Sequence, residues 1–149
     1  MSFAKKVAIA VEMDGEERGL FNLLREMDFL KDSELHFAHV VHTVSYSFGL
    51  ADSPLVYPIE ADRLEIRKAV LDRLSRFSRE HLPRNYSGKL EVHCLFAEHQ
   101  REEFARFVRD KKIDLVIVAP KLKHGFFESS FAQYVNKHTD ANLLLLKKN

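Results

Sequence analysis

The chain has one cysteine, Cys94, among 149 residues, which excludes an intrachain disulfide and a thiolate-rich metal site and suits a reducing cytoplasm. An excess of charge of either sign is also missing: 23 Lys and Arg stand against 22 Asp and Glu, for a formal charge of +1. Such a balance supplies no basic field for non-specific nucleic-acid binding, so nucleic acid is not an expected partner. Long apolar runs are absent too. Residues 115–120 and 143–146 are among the longest, far below the ~20 residues a membrane span requires. Near the start, Lys5 and Lys6 precede Val7-Ala8-Ile9-Ala10-Val11, but Glu12 and Asp14 end that run before an export core develops. A cytoplasmic location is therefore expected. With only five glycines, the sequence contains no G-x-x-x-x-G-K-[ST] loop, no G-x-G-x-x-G turn and no G-x-S-x-G elbow, which removes the main support for P-loop, classical dinucleotide and serine-hydrolase chemistry.

What is present is a regular alternation. Hydrophobic residues at 46% and charged residues at 30% describe one globular domain spanning residues 1–149. Val7-Ala8-Ile9-Ala10-Val11 reads as a strand buried on both faces. Leu20, Leu23, Leu24 and Met27 then recur at the spacing of an amphipathic helix. Residues 35–41 form a second strand, and residues 42–58, with Gly49, Pro54 and Pro58, read as a long loop of functional interest. A helix follows from about residue 59 to 82, with Ile66, Val70, Leu74 and Phe77 on one face and Asp72 and Arg76 able to pair. Leu90, Val92, Cys94 and Phe96 alternate with polar residues as an outer strand, residues 100–111 are helical, and residues 114–119 form the most apolar strand, expected to be central. A polar loop, a helix over residues 129–138 and a last strand over 141–146 close the series. Five strands and four helical segments imply an α/β, doubly wound, mainly parallel sheet with helices on both faces and ligands beyond the carboxyl ends of the strands.

Candidate chemistry is sparse. Glu12, Asp14, Glu16 and Glu17 after the first strand are either contacts for a ribose hydroxyl or a hard cation, or a solvated helix start whose charge complements the dipole. Lys121, Lys123, Ser129 and Ser130 either hold a phosphate at the start of the last helix, or the serines simply cap it. His36, His39 and His42 lie along one strand, where a spacing of three alternates between faces, so they are not expected to converge and no metal is assigned. Cys94 sits on the apolar parity of its strand and reads as a small buried hydrophobe. No catalytic residue is assigned.

Taken together, these segments resemble the universal stress protein family over nearly the whole chain. The resemblance rests on Lys6-Val7-Ala8-Ile9-Ala10-Val11 with its acidic end, His39-Val40-Val41, Asp114-Leu115-Val116-Ile117-Val118-Ala119, and Ser129-Ser130-Phe131-Ala132-Gln133-Tyr134-Val135-Asn136-Lys137-His138 before the last strand. It implies a Rossmann-like, adenine nucleotide alpha hydrolase-like fold with strand order 3-2-1-4-5 and a nucleotide cleft formed by Val11, Glu12, Val40, Ala119, Ser129, Ser130 and Phe131. Family members that bind ATP carry G-x2-G-x9-G-[ST] after the fourth strand and an aspartate ending the first. Here Ala119 and Leu122 replace the first two glycines, Ser129-Ser130 stand for the last pair, and Glu12 replaces the aspartate. Ala119 and Ser129 are ten positions apart where the motif needs thirteen. A Cβ and a tighter loop obstruct backbone approach to a triphosphate. The resemblance thus implies a member of the branch without the ATP motif: a dimeric, cytoplasmic stress-response module with no turnover and no cofactor. The alternative is an ATP or AMP sensor using the degenerate cleft. The homodimer would form through the last strand, Leu143, Leu144, Leu145 and Leu146, whose edge would otherwise be open to aggregation.

Overall fold

The computed structural model describes residues 6–13, 18–46, 55–119 and 125–147, the side chains of residues 125–129 excepted. Five strands form one sheet: β1 (Lys6–Ala10), β2 (Glu34–His42), β5 (Leu90–Ala97), β6 (Leu115–Val118) and β7 (Asn142–Leu145). Their order is β5-β2-β1-β6-β7, and every pairing is parallel. Counted along the sheet-forming strands alone, this is the expected 3-2-1-4-5. The outer position of β5 also agrees with its alternating sequence. The most apolar strand, β6, is interior but flanks the centre, which β1 occupies.

Parity within the strands explains the two-layered core. Val7, Ile9, Val11, Leu35, Phe37, Leu115 and Ile117 face one side, with Phe21, Leu24, Leu30, Leu74 and Phe77 packed over them. Ala8, Ala38, Val40, Val116 and Val118 face the other, beneath Phe104, Phe107, Val108 and Val135. A strand covered on both faces has no position to give to a charge, which is why β1 and β6 read as unbroken apolar runs. The helices supplying the covers are α2 (Glu60–Glu80) on the first face, and α3 (Gln100–Asp110) and α4 (Gly125–His138) on the second. No described helix is long and apolar enough to cross a membrane.

Two expectations need correction. The segment after β1 is not one amphipathic helix: α1 covers only Arg18–Phe21, followed by 3-10 turns at Asn22–Glu26 and Asp28–Leu30. The reason is visible in the burial pattern, since Phe21, Leu24 and Leu30 are fully buried and Met27 packs beside them, while Leu23 is exposed. A repeat of three fits the 3-10 turn better than the 3.6-residue α-helix. Second, residues 42–58 are not simply a loop. Residue His42 ends β2, and β3 (Val44–Tyr46) pairs antiparallel with β4 (Leu55–Tyr57) in a separate two-stranded ribbon. Alternation in these three-residue strands is too short to register as a period.

Near the amino ends of the strands, the Tyr86 hydroxyl lies 2.6 Å from the carbonyl oxygens of both Ser33 and Lys89. Gly88 permits this corner, because a Cβ there would collide with the Ser33 carbonyl oxygen.

Candidate functional site

At the carboxyl end of the sheet, strand order reverses between β1 and β6, the place where open α/β sheets form a ligand crevice. The register pairs Ala10 with both Ala38 and Val118, so Val11, Ala119 and the His39-Val40 segment meet along this edge. The Val11 and Val40 backbones are already engaged in scaffolding. Val11 donates its N–H to the Ala38 carbonyl (2.9 Å), and its own carbonyl oxygen lies 2.7 Å from His39 Nδ1. The Val40 carbonyl accepts from Gln100 Nε2 at 2.9 Å. Glu12 is exposed, and Met13 after it adopts φ 67, an uncommon conformation for a residue with a side chain. Arg73 Nη2 reaches the Met13 carbonyl at 3.4 Å. Ala119, 5% exposed, belongs to the core layer that contains Val11 and Ile117, and it carries a Cβ at the position where a phosphate cradle favours glycine.

The last helix departs from expectation. It begins at Gly125, so Ser129 and Ser130 lie in its second turn rather than at its cap. Their amides point back along the helix in the i to i−4 pattern, and only the first four residues of a helix have free N–H groups. The proposed phosphate hold by these two serines therefore loses its backbone component. Phe131 turns to the core, with its ring 5.3 Å from that of Phe104 on α3. Lys121, Lys123, Leu122, Asp14, Glu16 and Glu17 lie outside the described residues.

A second constellation was missed because it joins two strands. His36, His39 and His42 do alternate between faces, but β2 pairs with β5 so that His36 opposes Glu91 and Ala38 opposes His93. His36 thus finds its ring partner on β5 rather than on its own strand. His36 Nδ1 lies 2.8 Å from His93 Nε2 and 3.6 Å from Glu91 Oε2. The two imidazoles stack at 5.1 Å under the edge of Phe107. Behind them, His36 Nε2 faces Glu34 Oε1 at 3.4 Å, too poorly aligned for a hydrogen bond, and this buried nitrogen has no hydrogen-bond partner among the described residues. Lys89 Nζ closes the outer side, 3.6 Å from both Glu34 and Glu91. Burial pushes the His36 imidazole below its ordinary value, although Glu91 and Glu34 oppose the shift. Burial also lowers His93, and the neighbouring His36 adds to it. Both rings are thus held neutral near pH 7, the form that ligates metals. The sequence signal was present, as Glu91-Val92-His93 on β5 and Glu34-Leu35-His36 on β2, but only the pairing register aligns the two.

Other candidates resolve into structure. Cys94 is buried, and burial pushes its thiol up, the behaviour of an inert core cysteine. His81 stacks on Phe77 at 4.1 Å, and its ring nitrogens lie 2.8 and 3.1 Å from the carbonyls of Phe77 and Arg18. An open groove of about 650 Å³ is lined by Val56, Glu60, Arg63, Leu64 and Arg67; Arg63 and Arg67 lie over the Phe96 ring.

No protein-family model matches the sequence, and no curated protein matches it as a relative. Solved structures match in fold. Universal stress protein UspA from Lactobacillus plantarum superposes with TM-score 0.63 at 15% identity, over 95% of this chain and 97% of that one. A universal stress protein from Archaeoglobus fulgidus does so with TM-score 0.62 at 14% identity, over 96% and 93%. A universal stress protein family protein from Arabidopsis thaliana, solved with AMP bound, has TM-score 0.59 at 14% identity, over 97% and 92%. Across nearly its whole length, this chain therefore has the fold of the universal stress protein structures.

Proposed function

We propose that the chain is a universal stress protein of the branch lacking the ATP motif, a cytoplasmic regulatory module that acts as a homodimer without nucleotide turnover. The observation that carries this reading is the switch point between β1 and β6, where Ala119 stands buried with its methyl group and the Val11 and Val40 carbonyls are taken by His39 and Gln100. A triphosphate needs close approach to bare backbone, which Ala119 in place of a glycine does not offer, and the two carbonyls open to an adenine or ribose already accept from His39 and Gln100. Calorimetric titration with Mg-ATP is expected to give a dissociation constant above roughly 100 μM; low-micromolar affinity would overturn the proposal.

What supports the homodimer is the position of β7 at the edge of the sheet. Leu143 and Leu144 pack to opposite faces, Leu146 is buried, and Leu145 is 37% exposed. Two-fold pairing of this edge would be self-complementary and closed. Leu145→Pro removes a ladder donor and is expected to shift the protein toward monomer or aggregate. Light scattering that finds the unaltered protein monomeric over a wide concentration range would reject the dimer.

A second reading, an adenine-nucleotide sensor at the same cleft, is favoured by one observation: the Arabidopsis structure of this fold contains AMP. A monophosphate asks less of the missing glycines than a triphosphate does. AMP titrated in place of ATP separates the readings, because the sensor requires saturable AMP binding where the first reading expects none.

A further inference from the structure

We propose that His36, His93 and Glu91 bind one divalent transition-metal ion of the zinc type, with Glu34 orienting His36 from behind. The site lies toward the amino ends of β2 and β5, four residues or about 13 Å along the strand from Val40, and is independent of the nucleotide cleft. If His93 Nε2 donates to His36 Nδ1, the proton of neutral His36 sits on Nε2, its Nδ1 lone pair is taken by that bond, and the Glu91 carboxylate 3.6 Å away receives no proton from it. If His36 Nδ1 donates instead, the bare Nε2 faces Glu34 Oε1 at 3.4 Å. In the first arrangement Glu91, and in the second Glu34, faces a His36 nitrogen that offers it no proton.

A divalent cation in the proton's place satisfies every group. His36 Nδ1, His93 Nε2 and a Glu91 oxygen are a two-imidazole, one-carboxylate donor set, and their ligand atoms lie within 4.8 Å of one another. Zinc–ligand bonds of 2.0–2.1 Å in a tetrahedron place ligand atoms about 3.3 Å apart, so the histidine nitrogens need to part by roughly 0.5 Å, within reach of a small ring rotation at half-buried His93. His36 then keeps its proton on Nε2, and a slight turn of the ring on binding the ion would aim that N–H at Glu34, forming the carboxylate–histidine–metal relay that fixes a ligand's tautomer. The fourth position opens to the β5 edge and suits water. Lys89, whose side chain is 69% exposed, is the mobile cation that occupies this charge environment otherwise. Borderline N/O donors of this kind select Zn²⁺, Cu²⁺, Ni²⁺ or Co²⁺ over Mg²⁺ or Ca²⁺.

The test uses the full chain, freed of metal with a chelator, titrated with Zn²⁺ by calorimetry and with Co²⁺ by visible absorption. One equivalent should bind with micromolar affinity or better, and Co²⁺ should show the intense bands of a four-coordinate site. His93→Ala is expected to weaken binding at least about 100-fold and abolish those bands, and Glu34→Gln to weaken it about 10-fold. Lys89→Gln should tighten binding several-fold by removing the competing cation, which a purely structural cluster would not do. His42→Ala and His99→Ala, both on exposed residues, should change nothing. Circular dichroism of each variant separates lost binding from lost fold; should His93→Ala unfold, Glu91→Gln at the edge of β5 carries the same expectation. Absence of saturable uptake, or an equivalent retained unchanged in folded His93→Ala or Glu91→Gln, overturns the proposal.

Discussion

The two halves of β2 use the same residue type in opposite ways. In its carboxyl half, His39 bonds to the Val11 carbonyl and Val40 to Gln100, so the polar groups at the switch point are consumed in holding β1, β2 and α3 together. In its amino half, His36 is buried against His93, Glu34 and Glu91 with a ring nitrogen left unbonded. The first region has the position that ligand sites favour but spends its Val11 and Val40 carbonyls on scaffolding, and the second has an unspent group at a position that fold precedent does not favour. Position in a fold and chemical capacity are thus separable, because a buried polar group without a partner costs free energy wherever it lies.

The comparison breaks most severely if the wall shared by the histidine cluster and the α3 layer is removed. Phe107, 6% exposed, contacts both rings, and Phe107→Ala is expected to cost about 3–5 kcal/mol in urea denaturation. A loss below about 1 kcal/mol would mean the cluster is not part of the packed core.

Tyr86 sharpens the amino-end side. Removing its hydroxyl in Tyr86→Phe leaves the carbonyls it serves short of a donor, for a loss of about 1–3 kcal/mol. Burial raises its phenol from 10.0 to about 12. The unfolded chain therefore releases this proton first as the pH rises. The tyrosine's contribution is intact below pH 10 and is lost between 10 and 12. Alkaline melting curves of the unaltered protein should show that decline, and Tyr86→Phe should flatten it.

On the cleft side, Ala119→Gly removes the Ala119 methyl but not the shortened loop. It should destabilise by about 0.5–1 kcal/mol and gain less than about tenfold in ATP affinity, or 1.4 kcal/mol. Recovery of low-micromolar binding from this one change would show that the methyl alone had closed the cleft. The smallest effect belongs outside both regions: the exposed Asp72–Arg76 pair at 3.1 Å should be worth about 0.3–0.5 kcal/mol by double-mutant cycle, and less in high salt.

The parallel sheet was readable from residues alone because strands buried on both faces tolerate only apolar side chains, as Val7 to Ile9 and Leu115 to Val118 illustrate. The first helix was misread where a 3-residue repeat, Phe21, Leu24, Met27 and Leu30, overlapped the 3.6-residue pattern closely enough over two turns to pass for it. The β3–β4 ribbon was hidden because three residues per strand carry too little alternation. At the cleft, the substitutions at Ala119 and Glu12 were visible directly, whereas the engagement of Val40 by Gln100 spans 60 residues and leaves no local trace.

Periodicity and parity thus lie in the sequence itself, since each depends on neighbours a few residues apart. The meeting of His36 with His93 does not. It depends on which strands lie side by side and in what register, and 57 residues separate the two rings. One residue of slip would send His93 to the opposite face of β5. Only the packing of the helices on both sides of the sheet selects the register that brings them within 2.8 Å.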